Sequence, residues 1–133
     1  MERKVFILED QMDIKLPIIT QLLSISKDEI NITKAHNYAE AMIIFSIYKK
    51  FDLAFFDFNL KDVKSGLDVA KLAKAMEVSF DKVIVHSSDP EGGSQIADEL
   101  EGEQLQLDEM IFFAVKVRNG TVIPPDNFPF KNN

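Results

Sequence analysis

The chain contains no cysteine, which excludes a disulfide framework, a thiolate zinc site and an iron–sulfur cluster. It has no run of Lys or Arg, and its formal charge is −7 with a pI near 4.8. A nucleic-acid-binding domain is excluded on those charge grounds. No apolar stretch approaches the roughly 20 residues that span a bilayer. The run Val5–Leu8 behind Met1-Glu2-Arg3-Lys4 is too short for a secretion leader. No internal repeat, low-complexity tract or Pro/Gly/Ser-rich linker interrupts the chain before residue 119. What is there is 133 residues, 46% of them hydrophobic, enough to bury a core without cross-links. The composition points to a soluble, acidic, cytoplasmic single domain with neither a nucleic-acid nor a membrane partner.

Four short apolar runs stand out: Val5–Leu8, Leu53–Phe56, Val83–Val85 and Ile111–Val115. A weaker candidate is Ile30–Thr33, where isoleucines alternate with polar neighbours. Runs of this length suit strands buried on both faces, as a parallel sheet requires. Stretches of helical period lie between them: Asp13 to Ile25, Tyr38 to Lys50, a segment opening at Ser65, and Ser94–Leu105. Asn37 with Glu40 reads as a capping box, and Tyr38, Met42, Phe45 and Tyr48 recur at helical spacing. The alternation predicts an α/β fold with a parallel sheet covered on both faces. In such folds the chemistry collects at the carboxyl ends of the strands.

The residues closing the predicted strands are Glu9-Asp10, Asp57, Ser87-Ser88 and Lys116. Each has a plain structural role open to it: Asp10 or Asp13 as a helix cap, Asp57 as a turn, Ser87-Ser88-Asp89-Pro90 as a turn or cap, Lys116 as a solvated lysine. Together they describe a different possibility. Crowded carboxylates take up a proton unless a cation compensates. Mg²⁺, a hard ion taking one or two carboxylates, a carbonyl and waters, suits them. Asp57 is then placed to attack a phosphoryl group and become an aspartyl phosphate, with a lysine neutralising charge.

With these pieces in order, the chain resembles the receiver domain of two-component response regulators, of the CheY-like superfamily, over roughly Lys4 to Lys116. The resemblance is carried by Val-Phe-Ile-Leu-Glu9-Asp10, Leu-Ala-Phe-Phe-Asp57-Phe-Asn-Leu, Ser65-Gly66-Leu67, Val-Ile-Val-His-Ser87-Ser88 and Phe113-Ala-Val-Lys116. The spacing from Asp57 to Ser87 also suits it. It implies a flavodoxin-like, doubly wound five-stranded parallel sheet of order 2-1-3-4-5. It further implies Glu9, Asp10, Asp57 and the Asn59 backbone carbonyl as Mg²⁺ ligands, with Asp57 as phosphoacceptor. Ser87 takes the switch hydroxyl position, Phe113 the switch aromatic, Lys116 the phosphate-contacting lysine, and Asn59 and Asp89 tune phosphate lifetime.

The chain departs from the family in three places. Lys61 and Val117 stand where the family has prolines, and the last helix is expected to be missing. Asn119-Gly120 between β-prone residues reads as a type I′ hairpin. Residues 1–118 are therefore expected to form the receiver unit, and residues 119–133 a hairpin followed by a loosely ordered tail.

The resemblance implies a stand-alone receiver, not an enzyme beyond self-phosphorylation and autodephosphorylation. It would accept phosphate on Asp57 from a sensor histidine kinase or phosphotransfer protein and signal by protein contact. The alternative is a degenerate receiver acting as a phosphorylation-independent binding module. A third reading, an aspartate-nucleophile phosphatase, lacks the second carboxylate that chemistry needs, because position 59 is asparagine. His36 and His86 are isolated in sequence and read as structural, and Gly92-Gly93 forms no phosphate-binding loop. The net charge is unevenly spread: residues 89–109 carry −8 and the remaining chain sums to +1. That acidic segment is either a solvated helix or a face for a basic downstream protein.

Overall fold

The computed structural model describes residues 2–131. Its elements run β1 (Glu2–Leu8), α1 (Met12–Leu23), β2 (Glu29–Ala35), α2 (Tyr38–Ile47), β3 (Lys50–Phe51) and β4 (Leu53–Phe56). They continue as α3 (Gly66–Ala75), β5 (Ser79–Phe80), β6 (Val83–Val85), α4 (Pro90–Leu100), β7 (Glu103–Gln104) and α5 (Leu107–Arg118). The main sheet is five-stranded in the order β2-β1-β4-β6-β7, and all its pairings are parallel. This is the expected doubly wound order, with β4, β6 and β7 as its third, fourth and fifth strands. A small parallel pair, β3 with β5, sits beside it. No helix among the described residues is long and apolar enough to cross a membrane.

The short apolar runs form the middle of the sheet because both of their faces are covered. Phe6, Leu8, Ala54, Phe56, Val83 and Val85 point into a core shared with α2, α3 and α4. Val5, Ile7, Leu53, Phe55 and Ile84 point the other way, into a core shared with α1 and α5. The first core is rich in aromatic rings, with Phe6 set 5.0–6.1 Å from the rings of Phe45, Phe51, Phe56 and Phe80. Such spacings add attraction beyond the area the rings bury.

The carboxyl-terminal third corrects the sequence expectation. Ile111–Val115 is no strand: it lies inside the helix α5, so the last helix is present. Met110 and Ala114 are buried one turn apart, while Ile111, Phe112 and Val115 face outward. Asp108 and Glu109 in the first turn and Lys116 and Arg118 in the last match the helix dipole. Asn119-Gly120 makes no hairpin either. Gly120 adopts φ 73°, donates to the Val117 carbonyl at 3.1 Å, and is followed by Thr121 donating to Lys116 at 2.9 Å. This pairing is a Schellman helix stop, the other use of a glycine at positive φ.

The true fifth strand is the two-residue β7, held to Ile84 and Val85 of β6. The tail is docked rather than loose as far as residue 131; the last two residues of the expected tail lie outside the described residues. Phe130 is 3% exposed within the α1/α5 core, with the Arg3 guanidinium 4.9 Å over its ring. Phe128 packs against Phe113, ring centroids 4.6 Å apart and tilted 42°. The fourth helix also starts earlier than its glycines suggested, at Pro90, with the Asp89 side chain accepting from the Gly92 amide at 2.9 Å.

Candidate functional site

The strand ladders run one residue beyond the assigned strands. Glu9 N–H donates to Ala35 at 3.0 Å, Asp57 N–H to Leu8 at 3.2 Å, and His86 N–H to Phe56 at 3.0 Å. Side chains alternate along a strand, so Glu9 follows Val5 and Ile7, Asp57 follows Leu53 and Phe55, and His86 follows Ile84. All three therefore leave the sheet on its α1/α5 face, from three adjacent strands.

One ligand oxygen from each of Glu9, Asp10 and Asp57 can be chosen such that all lie within 4.8 Å of one another. Glu9 is fully buried and Asp57 is 5% exposed. Neither Glu9 carboxylate oxygen has a partner in hydrogen-bond geometry among the described residues. Lys15, from the first turns of α1, holds its Nζ 2.8 Å from Glu9 Oε1 as an ion pair. Burial pushes the Glu9 carboxyl up to about 8; the adjacent Asp57 carboxylate adds to the rise, and Lys15 offsets part of it. A buried carboxylate whose one close cation is Lys15, beside two other carboxylates, fits a hard divalent cation by charge and by donor type.

A cavity of about 390 Å³ opens over the cluster, lined by Asp10, Lys15, Asp57, Asn59, Lys61 and Ser88 among others. Its outer wall is the loop from Phe58 to Ser65. That loop is pinned where Gly66 passes Asp57: a Cβ on Gly66 would lie 1.9 Å from the Asp57 carbonyl oxygen. The Gly66 amide donates to the Phe58 carbonyl at 2.8 Å. Ser65 and Asp68 close a capping box behind it.

The residues singled out in the sequence divide into two groups. Asp10, Asp57 and Asn59 line the cavity, and the buried Glu9 joins Asp10 and Asp57 behind it. Ser87 stands at the next strand end but is buried, and its hydroxyl accepts from the Asp89 amide at 3.1 Å; Ser88 is the serine that reaches the cavity. Asp89 caps α4. Lys116 and Phe113 are not at strand ends at all. Both ride on α5, where Lys116 is exposed in the last turn and Phe113 packs against Phe128. Their assigned roles depended on a strand at Ile111–Val115 that does not exist.

Two residues were missed. Lys15 carries no local motif; its signal was its place one turn into the helix that follows the acidic pair. His86 read as an ordinary core histidine. It is 1% exposed, neither ring nitrogen has a hydrogen-bond partner among the described residues, and its ring lies 6.1 Å from that of Phe55. Burial lowers its pKa to about 4; the Asp57 carboxylate opposes the fall and Lys15 adds to it. It is thus a neutral imidazole in the field of the Asp57 charge.

Comparison with known proteins bears on the fold. No curated protein matches the chain. Among solved structures it superposes on a receiver domain from Methylobacillus flagellatus with a TM-score of 0.66 at 20% identity, over 92% of this chain and all of the other. The phosphorylated cyanobacterial phytochrome response regulator RcpA gives 0.66 at 18%, over 90% and 93% of the two chains. The response regulator TrrA of Thermotoga maritima, in complex with Mg²⁺ and beryllofluoride, gives 0.64 at 19%, over 88% and 97%. At these identities the likeness establishes the CheY-like receiver fold. Residues 6–102 match the family described as the cyclic-phosphate processing receiver domain. That match spans most of the chain, and the chain belongs to this receiver family.

Proposed function

We propose that the protein is a phosphoacceptor receiver in which Asp57 takes a phosphoryl group from a phosphohistidine of a sensor kinase or phosphotransfer protein. The observation that carries this reading is the meeting of Glu9, Asp10 and Asp57, the last two of which line an open cavity. Glu9, Asp10 and Asp57, with the Asn59 carbonyl, would hold Mg²⁺, which when bound supplies charge neutralisation for the acceptor and the incoming phosphoryl oxygens. An Asp57 carboxylate oxygen attacks phosphorus, the P–N bond to the donor imidazole breaks, and that imidazole recovers a proton from solvent. Burial at 5% exposure keeps the Asp57 carboxyl in one orientation, and the Gly66 close approach keeps its backbone there.

The phosphoryl group would sit beside the Ser87–Asp89 turn that caps α4, so the bond from Asp89 to Ser87 is the contact through which charge on Asp57 reaches that helix. The acids of residues 89–109 run over α4, β7 and the first turn of α5. They offer a downstream protein a negative surface.

Beryllofluoride with Mg²⁺ tests this reading. The protein should gain thermal stability with both present, by mass action, and the Asp57→Asn variant should not. No response in the wild type would leave a receiver fold used as a constitutive binding module.

A second reading comes from the family description, and the open cavity over Asp10 and Asp57 is where it would apply. In that case the cavity takes a cyclic phosphodiester and water opens the ring. The attacking water forms a P–O bond, a ring P–O bond breaks, and the leaving oxygen takes a proton. Turnover of a 2′,3′-cyclic nucleotide that is lost in Asp10→Asn would establish it, and no turnover would discard it.

A further inference from the structure

An aspartate receiving a phosphoryl group gathers several negative charges at one point. Catalysis of that transfer is mainly positioning and charge neutralisation. The cations lining the cavity among the described residues are Lys15 and Lys61. Lys61 is exposed on the loop at φ 50°, and among the described residues its ammonium forms no ion pair. Lys15 is different: it rises from a 12-residue helix, its side chain is 18% exposed, and its Nζ already stands in the site at 2.8 Å from Glu9. Across the sheet, β7 ends in Glu103-Gln104 and brings no cation.

We infer that Lys15 is the residue that neutralises the phosphoryl oxygens on Asp57, and that its pairing with Glu9 is its resting position. This inference rests on the phosphoacceptor reading above. Lys15 is the cation paired with Glu9. Glu9 would also be a ligand of a divalent cation, which would compete with Lys15 for that carboxylate. The flexible four-carbon stem would let the Lys15 ammonium turn from Glu9 to the phosphoryl group over Asp57. No bond is made or broken by Lys15; it moves a charge a few ångströms.

The inference predicts two effects of opposite sign, which a structural lysine would not produce. In Lys15→Met, Mg²⁺ should bind more tightly, because its competitor for Glu9 is gone. Labelling of Asp57 by acetyl phosphate at saturating Mg²⁺ should fall about 100-fold, the usual scale for losing one charge-stabilising donor. Lys15→Arg should recover part of the labelling. Lys116→Met should match the wild type in both measurements. Metal affinity is read by titrating Mg²⁺ against thermal stability, without any phosphodonor, so that arm stands apart from phosphorylation.

Wild-type labelling in Lys15→Met, unchanged or weaker Mg²⁺ binding there, or the 100-fold loss appearing in Lys61→Met instead would overturn the assignment while leaving Asp57 as acceptor. A wild-type protein that takes no label would overturn the phosphoacceptor reading itself, and the role of Lys15 with it.

Discussion

Lys15 Nζ and Glu9 Oε1 lie 2.8 Å apart, and the glutamate side chain has no exposure to solvent. A buried ion pair gains from Coulomb attraction but pays to strip water from both charges. Here the balance leaves the Glu9 carboxyl pushed up to about 8, so the lysine only partly offsets the burial. Beside it, the Asp57 carboxylate adds to the rise, and a divalent cation would relieve the crowding.

The first prediction is a pH dependence of stability. Between pH 4.5 and about 8, folded protein retains a proton on Glu9 that the unfolded chain has lost. Stability without metal should therefore fall as pH rises through that window, by an amount on the order of 5 kcal/mol. Saturating Mg²⁺ should flatten the fall, and Glu9→Gln should abolish it. Chemical denaturation at a series of pH values, with and without Mg²⁺, measures this. A slope that survives in Glu9→Gln would assign the titration to another group.

His86 gives the opposite sign. Its pKa is lowered from 6.5 to about 4, so below pH 6.5 the unfolded chain binds a proton that the folded protein refuses. Stability from this group is present above pH 6.5 and is lost as pH falls through 4. Because both ring nitrogens lack partners, His86→Leu should stabilise the fold by about 1–3 kcal/mol at neutral pH, the penalty of an unpaired buried polar group. It should also remove the acid-side loss. Destabilisation by His86→Leu would show that the ring is held by interactions other than packing.

Gly66 tests how tightly the site's backbone is determined. A methyl group there meets the Asp57 carbonyl oxygen at 1.9 Å, and backbone does not yield as a flexible side chain does. Gly66→Ala should cost about 1–3 kcal/mol and weaken the Mg²⁺ response by displacing Asp57. A variant with wild-type stability and metal response would mean that the loop relaxes freely.

Much of this site was legible in sequence because Glu9, Asp10 and Asp57 close strands whose apolar runs are unmistakable. Val5–Leu8, Leu53–Phe56 and Val83–Val85 are buried on both faces, and such strands advertise themselves. The fifth strand was not legible: Glu103-Gln104 is an exposed, two-residue edge, with no apolar signal to find. Its place in the pattern was taken by Ile111–Val115, a run short enough to pass as a strand. The charges flanking that run, acids before and bases after, were the discriminating signal for a helix. Misplacing that strand carried Lys116 and Phe113 into a site they do not reach. Lys15 stayed hidden because proximity to Glu9 arises from the α1 start, not from a motif.

The docked tail supplies a further test. Phe130→Ala should destabilise the protein by about 3–5 kcal/mol, as loss of a buried phenyl ring does, and this is checked by denaturant unfolding. Little or no change would mean that residues 119–131 contribute nothing to the fold.

The most direct test of the central claim is peptide-mapped mass spectrometry after incubation with acetyl phosphate and Mg²⁺. The account predicts one added phosphoryl group, located on Asp57, dependent on Mg²⁺ and lost in Asp57→Asn. A label that persists in Asp57→Asn, or no label on the wild type under conditions where Mg²⁺ stabilises it, would contradict it.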